Sequence, residues 1–173
     1  IDKEMAAMIE EGVLAIKPAS EVTADDDLLP ALLLLHNKKD GTYKARLVAC
    51  GNFQRVTEQS YAHATVAGAE DWLSLIVLAV RLNWSVASIG ISKAFLQTSE
   101  EYSNIGNRRT FLRPPKGLGL QWDSVLLVLK SIYGLRTAQS QWQLTLIAAL
   151  KEHGFTSSAY TECIMTGYVD GVP

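Results

Sequence analysis

Tyr43-Lys44-Ala45-Arg46-Leu47-Val48-Ala49-Cys50 alternates in a way that decides how the chain is read. In an extended strand, neighbouring side chains point to opposite faces, so Lys44 and Arg46 share one face and Tyr43, Ala45 and Leu47 share the other. Upstream, Ala31 to His36 is an apolar run closed by Lys38-Lys39-Asp40-Gly41, a tight-turn signal. The two stretches are expected to pair as a β-hairpin. Two cations on one face suit a polyanion, either a triphosphate or a nucleic-acid backbone, because lysine supplies a point charge and arginine a fork of donors. The same pair also fits the charges by which an edge strand deters aggregation.

Outward from the hairpin, helices and strands are interspersed. Asp2 is placed to cap a helix from Lys3 to Glu11, with Met5, Met8 and Ile9 on one face and Gly12 as its stop. Asp71 to Leu82 reads as a helix apolar almost all round, through Trp72, Leu73, Leu75, Ile76, Val77, Leu78 and Val80, and is expected to be buried against a sheet. Ser85 to Ile91 reads as a core strand containing Gly90, followed by Lys93 to Gln97. Thr110 to Leu112 reads as a strand edge before the turn Arg113-Pro114-Pro115-Lys116-Gly117, and Val125 to Lys130 as a buried strand before a turn at Gly134. Trp142, Leu146, Ala149 and Leu150 recur at helical spacing between Thr137 and His153, with Gly154 as a left-handed stop; Ile164 to Val169 and an Asp170-Gly171 turn follow. With no internal repeat or linker, the expectation is one α+β domain over 1–173.

Composition narrows the function classes. The 173 residues are 48% hydrophobic and 20% charged, a balance that supports a packed core and argues against disorder. No apolar run reaches the roughly 18 positions of a membrane span, and the acidic start lacks a signal-peptide layout, so an intracellular, non-secreted setting is expected. Cys50 and Cys163 have no partner at metal-ligand spacing and are expected to be buried free thiols; His36, His63 and His153 form no i,i+4 pair. The net charge of −2 is unevenly spread. Residues 1–37 hold eight acidic and two basic side chains, residues 38–55 five basic and one acidic, and residues 104–136 six basic and one acidic. The two basic segments fit a nucleic-acid surface, or simply solvated faces.

Tyr43 to Gln54 resembles the fingers motif of copia-type retrotransposon reverse transcriptases. Further elements resembling that family follow in its order: Tyr61 before the long helix, Gly90 to Phe95, the proline turn from Arg113 to Leu118, and Ile132 to Trp142. The resemblance spans nearly the whole chain. It implies a right-hand polymerase fold, with fingers from about 1–85 and a partial palm from about 86–173. By the same resemblance, Lys44 and Arg46 approach the phosphates of an incoming nucleotide, and Phe95 stands beneath its sugar, where a ring excludes a 2′-hydroxyl. Gly134 lets backbone come close to template or nucleotide, and Arg136 lies near phosphates. The implied reaction is RNA-directed addition of deoxynucleotides to a primer-template, with Mg2+ as cofactor, in a polyprotein with flanking integrase and ribonuclease H domains in the cytoplasm or a virus-like particle.

Departures from the family pattern point the other way. Gly90 stands where the first metal-binding aspartate belongs, and glycine offers no ligand. Thr65 and Gln139 replace prolines. Tyr168-Val169-Asp170-Gly171 is one residue from the second carboxylate motif, Tyr-x-Asp-Asp, which leaves Asp170 as a candidate ligand or as part of a plain turn. A C-terminally truncated, catalytically inactive copy is the resulting expectation, with no metal held by this chain. A non-catalytic nucleic-acid-binding or scaffolding module derived from the polymerase is the second reading, and an unrelated α+β domain with solvent-facing charges is the third.

Overall fold

The computed structural model describes residues 2–37, 39–55, 64–99 and 108–168. The α+β expectation holds: α1 (Asp2–Glu10), β1 (Leu14–Pro18), β2 (Asp27–Asn37), β3 (Tyr43–Ala49), α2 (Ala69–Leu82), β4 (Thr110–Arg113), β5 (Ser124–Val128), α3 (Ala138–Glu152), β6 (Thr156–Ser157) and β7 (Met165–Thr166) follow in that order. The chain divides into two compact units. One comprises residues 1–63 and 93–142, the other residues 64–92 and 143–173.

The first unit is built on a five-stranded mixed sheet of order β1-β5-β4-β2-β3, in which only β2 and β4 run parallel. The expected hairpin is present, pairing Ala31 with Ala49, Leu34 with Arg46 and Asn37 with Tyr43. Its turn holds Gly41 at φ +80, and Asp40 Oδ1 accepts hydrogen bonds from the Thr42 amide and hydroxyl. β2 begins at Asp27, before the apolar run that marks it in sequence, and takes in Pro30. Pro30 needs no donor there, and its carbonyl accepts from the Cys50 amide at 2.9 Å. The core is made of Met8 from α1, Val13, Leu14, Leu29, Leu47, Leu112, Leu126 and Ile132, all almost fully buried. At the end of α1, Gly12 at φ +64 lets the Val13 amide reach the Met8 carbonyl at 2.8 Å, turning the chain into β1. Ile9 is exposed although Met5 and Met8, placed on the same face in sequence, are buried, because the helix presents only its Met5–Met8 side to the sheet.

In the second unit, two expectations are overturned. α2 has close to its expected length, yet Ala79 alone is buried along it, with Trp72 at 60%, Val77 at 60% and Val80 at 80% exposure. Apolar composition states what a helix could bury; it does not by itself supply a covering surface. Ser85 to Ile91 forms no strand and is exposed throughout. β-Branched residues favour a pleated surface, but a strand also needs a ladder partner, and among the described residues no strand pairs with this segment. α2 ends on Asn83 in the left-handed conformation, and the Gly68 amide is capped by Asp71 at 2.8 Å. β6 and β7 pair antiparallel, and Gly154 at φ +85 stops α3 as expected. Val169 and the Asp170-Gly171 turn lie outside the described residues. Among the described residues, no helix is long and apolar enough to cross a membrane.

Candidate functional site

Lys44 and Arg46 project from β3, exposed, on the face opposite buried Leu47 and Ala49. The alternation read from sequence therefore holds. The Arg46 guanidinium carbon lies 5.5 Å from the centroid of the Tyr133 ring, within cation–π range. Tyr133 meets Phe95 edge to face, with centroids 5.4 Å apart and planes at 72°. Phe95 belongs to a single 3-10 turn, Ala94–Gln97, which is pinned by buried Leu96 and by the Thr98 hydroxyl donating to the Phe95 carbonyl at 2.7 Å.

Backbone contacts hold these side chains in register. The Ala49 amide donates to the Tyr133 carbonyl at 2.8 Å. Gly134 sits at φ +91, and a Cβ built there would lie 2.1 Å from the Ala49 carbonyl oxygen. A Cβ at Gly51 would likewise lie 2.1 Å from the Gly134 carbonyl oxygen. Only glycine at both positions permits this approach. Beyond it, the Arg136 amide donates to Gln54 Oε1 at 2.9 Å, so Gln54 and Arg136 close the junction between the end of β3 and the turn from Ile132 to Leu135.

Arg46, Phe95 and the Gly134-to-Arg136 turn, far apart in sequence, thus gather beside β3, with Lys44 on the face of Arg46. Tyr133 connects three of them. It carried no role in the sequence reading, because a tyrosine beside a turn glycine has no signal of its own; the tyrosine-glycine pair within Ile132 to Trp142 was the available clue. Gly51 and Gln54, in the stretch that resembles the fingers motif, are the other residues the reading missed.

Gly90 belongs to the other unit, is exposed, and a Cβ there meets nothing within 4 Å. Asp170 and Tyr61 lie outside the described residues. Lys93, in the left-handed conformation, pairs with Glu11, which raises its pKa. Cys50 and Cys163 are free but half-buried, not buried as expected. Among the described residues, no three histidine, cysteine or acidic side chains cluster as a metal site.

The basic segments are also less available than their counts suggest. Arg109 forks onto buried Asp26, with Nε–Oδ1 at 2.9 Å and Nη2–Oδ2 at 2.8 Å, and also stacks over Phe111 at 5.2 Å. This fork, helped by the Thr23 amide, holds the Asp26 carboxyl at about 2. Arg55 pairs with buried Asp27 at 2.9 Å and donates to the Asp26 carbonyl at 2.6 Å. Acidic residues near the start of β2 thereby consume two of the cations that a linear count assigns to a nucleic-acid surface.

Residues 33–171 match the family model described as "Reverse transcriptase (RNA-dependent DNA polymerase)". The chain belongs to the reverse transcriptase family. The reading as an unrelated α+β domain is thereby overturned. Among its relatives is the transposon Ty1-NL2 Gag-Pol polyprotein of Saccharomyces cerevisiae, 29% identical over 126 residues that cover 72% of this chain and 7% of that protein. The Ty1-BL Gag-Pol polyprotein of the same yeast is 28% identical over 139 residues, covering 79% of this chain and 8% of that protein. This reverse transcriptase segment thus spans less than a tenth of either relative's length. No solved structure matches the chain. The resemblance to copia-type reverse transcriptases that the motifs carry agrees with both findings.

Proposed function

We propose that the chain is the nucleotide-binding part of an RNA-directed DNA polymerase of a copia-type element, and that it binds nucleotide and primer-template without extending the primer. The observation that carries this reading is the contact series from Arg46 through Tyr133 to Phe95. It links the Arg46 cation on β3 to the Phe95 ring on the Ala94–Gln97 turn, and the family resemblance gives those two positions the tasks of holding phosphate and meeting the sugar. Lys44 adds a second cation on the face of Arg46, and Arg136 a third beside the Gly134 turn. In the same reading, about 1–85 are fingers and about 86–173 part of the palm. Elsewhere in a parent polyprotein stand integrase and ribonuclease H, and the setting is an intracellular virus-like particle.

The catalytic half of the reaction is the part this sequence does not support. In the family, Mg2+ stabilises the charge that gathers as the 3′-hydroxyl attacks the α-phosphate. Gly90, which has no side chain, offers no carboxylate for such an ion. The residues present can bind, orient and neutralise phosphates. The test is a primer-template titration by fluorescence anisotropy over a salt series, alongside primer extension with dNTPs and Mg2+. Salt-dependent binding without extension supports the reading. Extension would sink the inactive part of it, and no binding at low salt would sink the rest.

A further inference from the structure

We propose that Tyr133 is a positioning residue that couples the grip of Arg46 on a triphosphate to the selection by Phe95 of deoxyribose over ribose. The inference rests on the nucleotide-site reading above and deepens it. Tyr133 meets both groups through one ring: the Arg46 guanidinium lies over it at 5.5 Å, and Phe95 packs against it edge to face at 5.4 Å. The electron-rich face of an aromatic ring attracts a cation, while edge-to-face packing fixes the angle between two rings. The Tyr133 ring therefore restrains both partners at once.

The ring is itself held by the main chain. The Tyr133 carbonyl accepts from the Ala49 amide, and Gly134, lacking a Cβ, lets the turn lie against the strand that carries Arg46. Arg46 is an exposed, long side chain, and without a surface beneath it the guanidinium would sample many rotamers before a phosphate arrived. Stacked on Tyr133 it is pre-organised, so less freedom is lost on binding. A change in the Arg46 stack shifts the Tyr133 ring, and through it the Phe95 ring that lies under the sugar. A phosphate grip and a sugar gate that acted independently would show no such link.

The experiment measures dissociation constants of the full chain for dTTP and its ribose counterpart ribothymidine triphosphate (rTTP), by competition against a fluorescent deoxynucleoside triphosphate. Variants are Tyr133→Phe, Tyr133→Leu, Arg46→Lys, Arg46→Ala, and Tyr133→Leu combined with Arg46→Ala. Tyr133→Phe keeps the ring and is expected to match the parent chain. Tyr133→Leu removes the stack and is expected to weaken dTTP binding by about two- to fivefold and to narrow the dTTP-to-rTTP preference. That loss should largely vanish in the Arg46→Ala background. Arg46→Lys alters an exposed side chain that the fold does not depend on, and it decides the matter if Tyr133→Leu loses cooperative unfolding. Coupling predicts that the dTTP-to-rTTP preference narrows although residue 46 does not reach the sugar. An unchanged preference in Arg46→Lys, or additive losses in the double variant, overturns the role of Tyr133 while the nucleotide site stands. Failure of the parent chain to bind dTTP overturns the site reading, and the coupling with it.

Discussion

The carbonyl oxygen of Ala49 lies 2.1 Å from where a Cβ on Gly134 would stand, in a turn whose Gly134 φ is +91. Strand β3 and the turn from Ile132 to Leu135 are therefore in backbone contact, with no room for a side chain between them. Gly134→Ala is expected to destabilise the chain by more than about 2 kcal/mol, since it adds both a left-handed strain and a clash with main chain. Urea unfolding measures it, and Gly51→Ala should also destabilise the chain, through its clash with the Gly134 carbonyl oxygen alone. Gly41→Ala, at an open hairpin turn with nothing within 4 Å of its Cβ, provides the contrast, carrying only the strain.

Stability at low pH should depend on Asp26. Its carboxyl is held at about 2, below the ordinary 3.8, chiefly by the Arg109 fork. A depressed carboxylate stabilises the fold fully above its unfolded pKa and loses that contribution as pH falls through the folded one. The loss is therefore expected between about pH 3.8 and about pH 2. Asp26→Asn should lower stability at neutral pH and flatten this part of the profile, as read by thermal unfolding at stepped pH.

Removing cations should separate the committed from the available ones. Lys44→Ala and Arg46→Ala are each expected to reduce the slope of log affinity for primer-template against log salt by about 1. Arg109→Ala, whose side chain is taken up by Asp26, should instead appear as lost stability with the slope unchanged. Anisotropy titrations at several salt concentrations, with a melting curve for each variant, distinguish the two.

A Cβ at Gly90 meets nothing within 4 Å. Gly90→Asp is accordingly expected to leave stability within about 0.5 kcal/mol of the parent. One restored ligand does not complete a two-carboxylate site, so primer extension in Mg2+ should remain absent. Extension by this single variant would mean that the second ligand set is intact.

The apolar side chains of α2 and those of the sheet should respond differently to substitution. Leu47 is 1% exposed, and Leu47→Ala is expected to cost about 2–5 kcal/mol. Trp72 is 60% exposed, and Trp72→Gln should cost less than about 0.5 kcal/mol. Denaturant unfolding of the two variants checks the contrast.

Much of this was legible along the chain because it depends on local chemistry. Period-two alternation in Tyr43 to Cys50 put Lys44 and Arg46 on one face, Asp40-Gly41 marked the hairpin turn, and Gly12, Gly134 and Gly154 marked reversals, all of them positive in φ. The order of motifs from Tyr43 to Trp142 identified the reverse transcriptase family, because a family is a pattern of residues and needs no coordinates. Where burial or pairing depends on a remote partner, local pattern misled: α2 carries a core composition without a covering surface, and Ser85 to Ile91 a strand composition without a ladder.

The sequence by itself determined the residue types, the two-residue and helical periodicities, the turn positions and the family, since each is set by a side chain and its near neighbours. Only the tertiary structure decided that Arg46, Tyr133 and Phe95 form one contact series and that Arg55 and Arg109 are spent on Asp27 and Asp26. Those contacts join residues up to 87 positions apart, as between Arg46 and Tyr133, and are made by the sheet order and by the fit of two glycine backbones. Composition does not encode such distances; packing does.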